Sequence, residues 1–407
     1  MQGADTSRPT LVAVINQLPW PLDRGGHLRS FHLLRALARR FRVQLIGGTA
    51  AANAEEAIDA LHRAGVDVVP VPLVARTPWS DVRRATTAAL RREPFILYHR
   101  HPWRTRSRAL RDVLRAGRPD VFYLDHLNSF PLAPQCSGAP RVMDQNSVCS
   151  TMVRRAAGLV GSRGGRIYVR HQARLLERVE RRAARTVEMI LGVSAEDVGY
   201  FTTCGARACL VPNGVDCASY DDLPIGARQG PPLLLFVGDM AWAPNVAAAT
   251  HLARSVLPAV RMRHPDARLR IVGREPTTVA RALAALPHVD VTGTVPDVRP
   301  HLAAAHLLAV PLDVGGGTRV KILEAFAAGL PVVSSAVGCE GLPVVDGHHL
   351  SVARTEQFAA AALDVLAHPE QAARRADRAR ELVRADFDWA AVGARACTAI
   401  EELLPTP

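Results

Sequence analysis

The stretch Val310-Pro311-Leu312-Asp313-Val314-Gly315-Gly316-Gly317-Thr318-Arg319-Val320-Lys321-Ile322-Leu323-Glu324-Ala325-Phe326-Ala327-Ala328-Gly329-Leu330-Pro331-Val332-Val333 decides the fold. An apolar strand, Leu307–Leu312, runs into three glycines. A helix is expected over Thr318–Ala328, and a second strand over Pro331–Ser335. Strand, turn, helix and strand in that order build a parallel sheet covered by helices. Glycines let backbone N–H groups come close to a ligand. The helix start adds unpaired N–H donors and the positive end of the dipole, which together favour a phosphate. Arg319 and Lys321 put two cations into the first turn, where the dipole disfavours them, and a bound anion would account for both. The Glu324 carboxylate can accept two hydrogen bonds from a ribose diol. A tight turn carrying solvated charges is the plainer alternative.

The same alternation extends in both directions. In the first half, strands are expected at Leu11–Ile15, Val43–Ile46, Asp67–Val71, Val121–Asp125, Arg141–Met143 and Met189–Val193. A helix from about His27 to Arg40 carries Leu28, Phe31, Leu34 and Leu37 on one face. In the second half, strands are expected at Leu233–Val237, Leu269–Val272 and Val289–Val291, with a helix from Asn245 to about Met262. Turn formers and polar residues fill Asp221–Pro232, which suits a linker. The fold class is therefore α/β: two Rossmann-like, doubly wound domains facing a cleft, with ligands outside the carboxyl ends of the strands. Expected bounds are 1–215 for the first domain, 216–388 for the second and 389–407 for a C-terminal helix.

A chain of 407 residues is too long for one ordinary core. With 48% hydrophobic and 22% charged residues it belongs with globular proteins and not disordered ones. No apolar run approaches the roughly 18 residues of a membrane span. Met1–Thr10 lacks the basic-then-apolar pattern of a signal peptide. Seven cysteines without CxxC spacing argue for reduced thiols and against a zinc site. The net charge of +12 favours anionic partners, yet no nucleic-acid module is present. Arginines such as Arg104, Arg106, Arg108, Arg111 and Arg115 read as a solvated helix face.

The glycine-rich stretch, taken with Val211-Pro212-Asn213-Gly214-Val215-Asp216, Val337–Leu342, Val345-Asp346-Gly347, Pro19–Gly26 and Leu124-Asp125-His126, resembles the retaining glycosyltransferases of the GT4 family, which have the two-domain GT-B fold. The likeness runs over nearly the whole chain and points to the subgroup with a GGGTR-type donor loop. It implies that Glu324 holds the ribose hydroxyls and that Gly316, Gly317 and Thr318 present backbone donors to the phosphates or sugar. It further implies that Gly25 and Gly26 approach the diphosphate, that His126 contacts the transferred sugar, and that the loop ending at Val298 lies by the base. Asn213, in the family's NGVD motif, is counted with the donor-binding residues. The last helix would cross back to the first domain, with Trp389 as a packing anchor.

Two departures stand out. Gly316 occupies the place where many relatives carry a second glutamate. Gly238–Asn245 lacks the arginine and lysine that many relatives use on the diphosphate. Arg319, Lys321 and Arg274 are expected to replace that pair. Fixed cations can stabilise the leaving diphosphate as a metal ion would. Asp386-Phe387-Asp388, an Asp-x-Asp by letters, reads as helix capping, so neither a metal nor any other cofactor is expected. The implied activity is transfer of a sugar from a nucleotide-diphosphate donor, UDP-sugar first, with retention. The acceptor stays open among small natural products, glycans and lipid-linked sugars. Two rival readings remain: a nucleotide-sugar epimerase of the same fold, and a non-catalytic nucleotide-sugar binder or partner subunit. A cytoplasmic location is expected, and the basic balance allows weak peripheral contact with anionic lipid at the inner membrane face.

Overall fold

A computed structural model describes residues 8–22, 24–49, 53–73, 77–95, 97, 103–223, 230–274, 277–314 and 319–405. The chain divides into two compact units. Unit 1 comprises Met1–Asn213 with Ala390–Pro407, and unit 2 comprises Gly214–Trp389. The change of unit thus falls inside the Asn213-Gly214 pair, while the polar stretch read as a linker lies within unit 2.

Among the described residues unit 1 contains seven strands: β1 (Thr10–Ile15), β2 (Arg42–Thr49), β3 (Val66–Pro72), β4 (Val121–Asp125), β5 (Arg141–Gln145), β6 (Met189–Gly192) and β7 (Ala208–Leu210). They pair in parallel in the order β3-β2-β1-β4-β5-β6-β7. Leu11–Val14 and Val121–Leu124 are buried almost completely, as strands covered on both faces must be. The order reverses between β1 and β4, which makes their carboxyl ends the switch point of this sheet. Helix Gly25–Leu37 follows β1 and starts two residues earlier than its apolar spacing suggests.

Unit 2 repeats the arrangement with β8 (Leu233–Val237), β9 (Arg268–Val272), β10 (Val289–Gly293), β11 (Leu307–Val310), β12 (Val332–Ser334) and β13 (Ser351–Val352). Their order is β10-β9-β8-β11-β12-β13, again parallel, with the switch point between β8 and β11. The turns after β8 and β9 are in such close contact that a Cβ on Gly273 would stand 1.6 Å from the Gly238 carbonyl oxygen. The helix expected from Asn245 to Met262 is broken into Ala243–His251, a wide π-turn at Leu252–Val256, and Leu257–Arg261. Pro258 explains the break, because it has no N–H to give and its ring crowds the carbonyl a turn earlier. Helix Val320–Ala327 follows β11, and Ile322, Leu323, Ala325 and Phe326 are its buried side.

The chain leaves unit 2 after a tight contact. A Cβ on Gly214 would lie 2.7 Å from the Trp389 ring and 2.9 Å from the Phe387 carbonyl oxygen. The Asp388 carboxylate accepts from the Cys217 N–H at 3.2 Å, a bond that ties this crossing together. Trp389 is buried, as expected of a packing anchor. The helix it opens, Trp389–Glu401, then packs in unit 1. The Cys397 thiol sits 3.6 Å from the Ala36 carbonyl oxygen, and Arg207 pairs with Glu402.

Candidate functional site

In unit 2 the groups with chemical potential gather at the carboxyl ends of β8 and β11. Arg319 is the N-cap residue of helix Val320–Ala327, is buried, and donates from Nη2 to the Val337 carbonyl oxygen at 3.3 Å. Lys321, in the first turn, donates to the Asn245 side-chain oxygen at 3.2 Å and lies 4.5 Å from the centroid of the Phe236 ring. Asn245 is itself held, since its amide donates to the Asp239 carbonyl oxygen at 2.9 Å. One turn after Lys321, the Glu324 carboxylate receives a hydrogen bond from the buried Tyr220 hydroxyl.

Burial dominates the electrostatics. It pushes the Lys321 ammonium down to about 7; the Arg319 charge adds to this and Glu324 opposes it. Burial also pushes Glu324 up to about 7, against the Tyr220 hydrogen bond and the Lys321 charge and with help from Asp297. Beside them Arg299 clasps Asp297 through Nε at 3.0 and 2.9 Å and reaches the Ser219 carbonyl oxygen at 3.1 Å. That clasp holds the Asp297 carboxyl low. A cation and an anion of tuned basicity therefore sit side by side at the switch point of a doubly wound sheet, where such sheets bind ligands.

In unit 1 a second polar group lies at the ends of β1, β4 and β5. His126 follows β4 with φ of 61°, a conformation that costs a non-glycine residue energy. Its Nε2 bonds the Asn146 amide, and its backbone N–H donates to the Asp144 carbonyl oxygen at 2.9 Å. Gly25 and Gly26 open their helix nearby, and a Cβ on Gly26 would stand 3.6 Å from the Asn146 amide nitrogen. Beneath lies a buried ion pair: Arg29 donates to Asp144 from Nε at 2.9 Å and Nη2 at 2.5 Å, and to the Pro212 carbonyl oxygen at 2.9 Å. Burial pushes the neighbouring Asp125 up to about 6, although His126 and a 2.9 Å bond from Ser30 favour its charged form. Among the described residues no group of three His, Cys, Asp or Glu side chains is placed to hold a metal.

Compared with known families, residues 231–368 match the model for Glycosyl transferases group 1. The matched segment lies wholly within unit 2. Glycogen synthase of Mycobacterium tuberculosis is 33% identical over 201 residues, 46% of this chain and 46% of that protein. A phosphatidyl-myo-inositol mannosyltransferase of Mycolicibacterium smegmatis is 31% identical over 200 residues, 47% of this chain and 51% of that protein. The chain spans about half the length of the curated relatives it matches. Sucrose-phosphate synthase of Thermosynechococcus elongatus superposes with a TM-score of 0.71 at 16% identity, covering 97% of this chain and 99% of that one. Anabaena HepE in complex with UDP and glucose gives 0.67 at 13% identity, covering 97% and 100%. At such identities these likenesses speak for the fold, which is the GT-B arrangement of two Rossmann-like domains.

Within unit 2, Arg319, Lys321 and Glu324 all lie at the start and in the first turns of helix Val320–Ala327. Gly316, Gly317 and Thr318 lie outside the described residues. Arg274 is not a loose cation: its Nη2 is bonded at 2.7 Å to Asp239, so an incoming diphosphate would have to compete with a carboxylate for it. Val298 is the N-cap residue of helix Arg299–Ala304, next to the Asp297–Arg299 clasp. Asn213 falls in unit 1, where its side-chain oxygen faces Arg29 Nη1 at 3.4 Å. The sequence placed the loop that holds Asp297 by the base, but it gave no role to Tyr220, to Asn245 or to Arg299, the partner of Asp297. Asn245 carried a signal, because a polar residue in a helix start after a strand and a glycine invites a partner. Tyr220 carried none.

Proposed function

We propose that the chain is a glycosyltransferase that takes a nucleotide-diphosphate sugar, UDP-sugar first, and passes the sugar to an acceptor with retention and without a metal ion. Lys321 meets the diphosphate, Arg319 adds positive potential, and Glu324, held by Tyr220, takes the ribose hydroxyls. Gly25, Gly26 and His126 belong to the machinery that unit 1 contributes. The observation that carries this reading is the Lys321–Glu324 pair, each residue half-buried and held by a neutral partner. Charge builds on the diphosphate as the anomeric bond breaks, so a fixed cation there lowers the barrier. Removing one such group costs about 3–4 kcal/mol of transition-state stabilisation.

The test is nucleotide release from UDP-glucose, UDP-N-acetylglucosamine and GDP-mannose, with pooled acceptors and with EDTA. Release that depends on acceptor and persists in EDTA supports the proposal. An epimerised sugar nucleotide instead, or binding without turnover, refutes it.

A peripheral membrane partner at the inner face of a cytoplasmic location belongs to the same proposal. Helix Pro78–Arg91 exposes Trp79, Val82 and Leu90 at 83%, 58% and 81%, while its Asp81–Arg84 pair is half-buried. Apolar side chains outward with Arg83 and Arg91 beside them suit an anionic lipid surface. No helix among the described residues is long and apolar enough to cross a membrane. Flotation with phosphatidylglycerol vesicles tests this; Trp79→Ser should abolish binding, and unchanged binding would refute it.

A further inference from the structure

Arg106 differs from the other arginines of helix Trp103–Ala116. Arg108, Arg111 and Arg115 are exposed, as the sequence suggested, but Arg106 is 1% exposed. Its Nη1 donates to the Ile15 carbonyl oxygen at 3.3 Å, at the carboxyl end of β1. Its Nε and Nη2 are buried and have no hydrogen-bond partner among the described residues. These two donors form one edge of the guanidinium, the edge that Arg29 uses to grip Asp144. Two parallel N–H groups on that edge match the two oxygens of a carboxylate or phosphate.

The surroundings add one unmatched donor, Trp20 Nε1, and three unmatched acceptor oxygens, which suit hydroxyl groups of the same ligand and not its anionic group. Buried polar atoms without a partner also occur at Asn16 Oδ1 and Trp20 Nε1 in the loop after β1, at Gln145 Oε1 at the end of β5, and at Asn146 Oδ1 just beyond it. All belong to segments at the carboxyl ends of the central strands, flanking the switch point between β1 and β4. A folded chain rarely leaves such groups unmatched, since each costs about 1–3 kcal/mol, and a charged one more. Asp125 is the nearby anion, but it forms no ion pair with Arg106 and already accepts from Ser30. Burial draws the Arg106 guanidinium down to about 10, opposed by Asp125, so it keeps its proton at neutral pH.

We propose that Arg106 is the anchor for a carboxylate or phosphate group on the acceptor, which unit 1 binds at the β1–β4 switch point. The proposal rests on the glycosyltransferase reading for the word acceptor, but the anion site stands or falls separately. The acceptor class is then an anionic one, such as a sugar phosphate, a phosphorylated polyol or a sugar acid, and not a neutral glycan.

The experiment compares the full chain with Arg106→Lys and Arg106→Met, using inorganic phosphate, acetate and UDP as separate probes in thermal shift and calorimetry. Wild type should bind phosphate, and Arg106→Lys should weaken it tenfold or more while UDP affinity stays within twofold. Arg106→Met should melt higher than wild type without phosphate, because it removes a buried charge that has one hydrogen bond. A purely structural arginine would give a lower melting temperature in that variant, and that result overturns the proposal. Equal phosphate binding in wild type and Arg106→Lys also overturns it. Equal losses of phosphate and UDP would assign Arg106 to the donor diphosphate and refute the acceptor assignment. Absence of UDP binding with Arg106-dependent phosphate binding would sink the donor reading and leave the anion site standing.

Discussion

Replacing Lys321 by methionine removes the charge and keeps most of the stem that lies over Phe236. The Lys321 pKa is drawn from 10.5 to about 7, and each unit is worth about 1.4 kcal/mol, so carrying the proton in the empty protein costs on the order of 5 kcal/mol. The sign follows from proton counts. Between pH 7 and 10 the unfolded chain binds the proton and the folded chain does not, so wild-type stability rises with pH there. Below pH 7 both states hold the proton and the full cost remains. Methionine escapes it but leaves Asn245 without its donor, for a net gain of about 2–4 kcal/mol, or roughly 5–10 °C in the melting of unit 2. That gain should shrink as pH rises from 7 towards 10.

Ligand binding should move the other way. A charge-assisted bond to a diphosphate is worth about 1.5–3 kcal/mol, so nucleoside diphosphate affinity should fall roughly 10–150-fold. In wild type, affinity should decline about tenfold per pH unit above 7, as the ammonium loses its proton, and the variant should lack this alkaline limb. Calorimetric titration with UDP between pH 6 and 9, beside thermal melts, reads both effects. A variant that melts lower, binds UDP as tightly and keeps the alkaline limb would refute the reasoning.

Three further outcomes are expected. Glu324→Gln should stabilise the empty protein by about 2–3 kcal/mol above pH 7 and not below pH 4.5, because the raised carboxyl is charged in the folded protein only above about 7; urea melts at pH 5 and 8 check this. Asp144→Asn strips the buried Arg29 of its counter-charge and should cost about 3–5 kcal/mol, read as a lower denaturation midpoint. Gly273→Ala forces a methyl group onto the Gly238 carbonyl and should lower the melting temperature by several degrees or prevent folding, since overpacking costs about 1–3 kcal/mol or more.

The strands were legible because a sheet covered on both faces demands continuous apolar runs, and Val121–Asp125 and Leu233–Val237 have the bounds their composition suggests. The edge strands β7 and β13 were not legible: three and two residues long and only partly buried, they have no periodicity to show. Lys321 and Glu324 were visible as charges at a helix start. Their partners were not, because Tyr220 lies 104 positions before Glu324 and Asn245 lies 76 before Lys321, and each reaches its partner through packing that no local pattern encodes. Arg106 was misread for a related reason. Its neighbours at 104, 108, 111 and 115 make a basic stretch, and rotation about the helix axis, not composition, decides which arginine turns inward.

The central claim is that the start of helix Val320–Ala327 cradles a nucleoside diphosphate. A crystal structure of the chain with UDP or GDP tests it most directly. A phosphate oxygen should lie within hydrogen-bond reach of Lys321 Nζ, with the ribose hydroxyls on the Glu324 carboxylate. Phosphates bound away from Lys321, with Glu324 still engaged by Tyr220 alone, would contradict it.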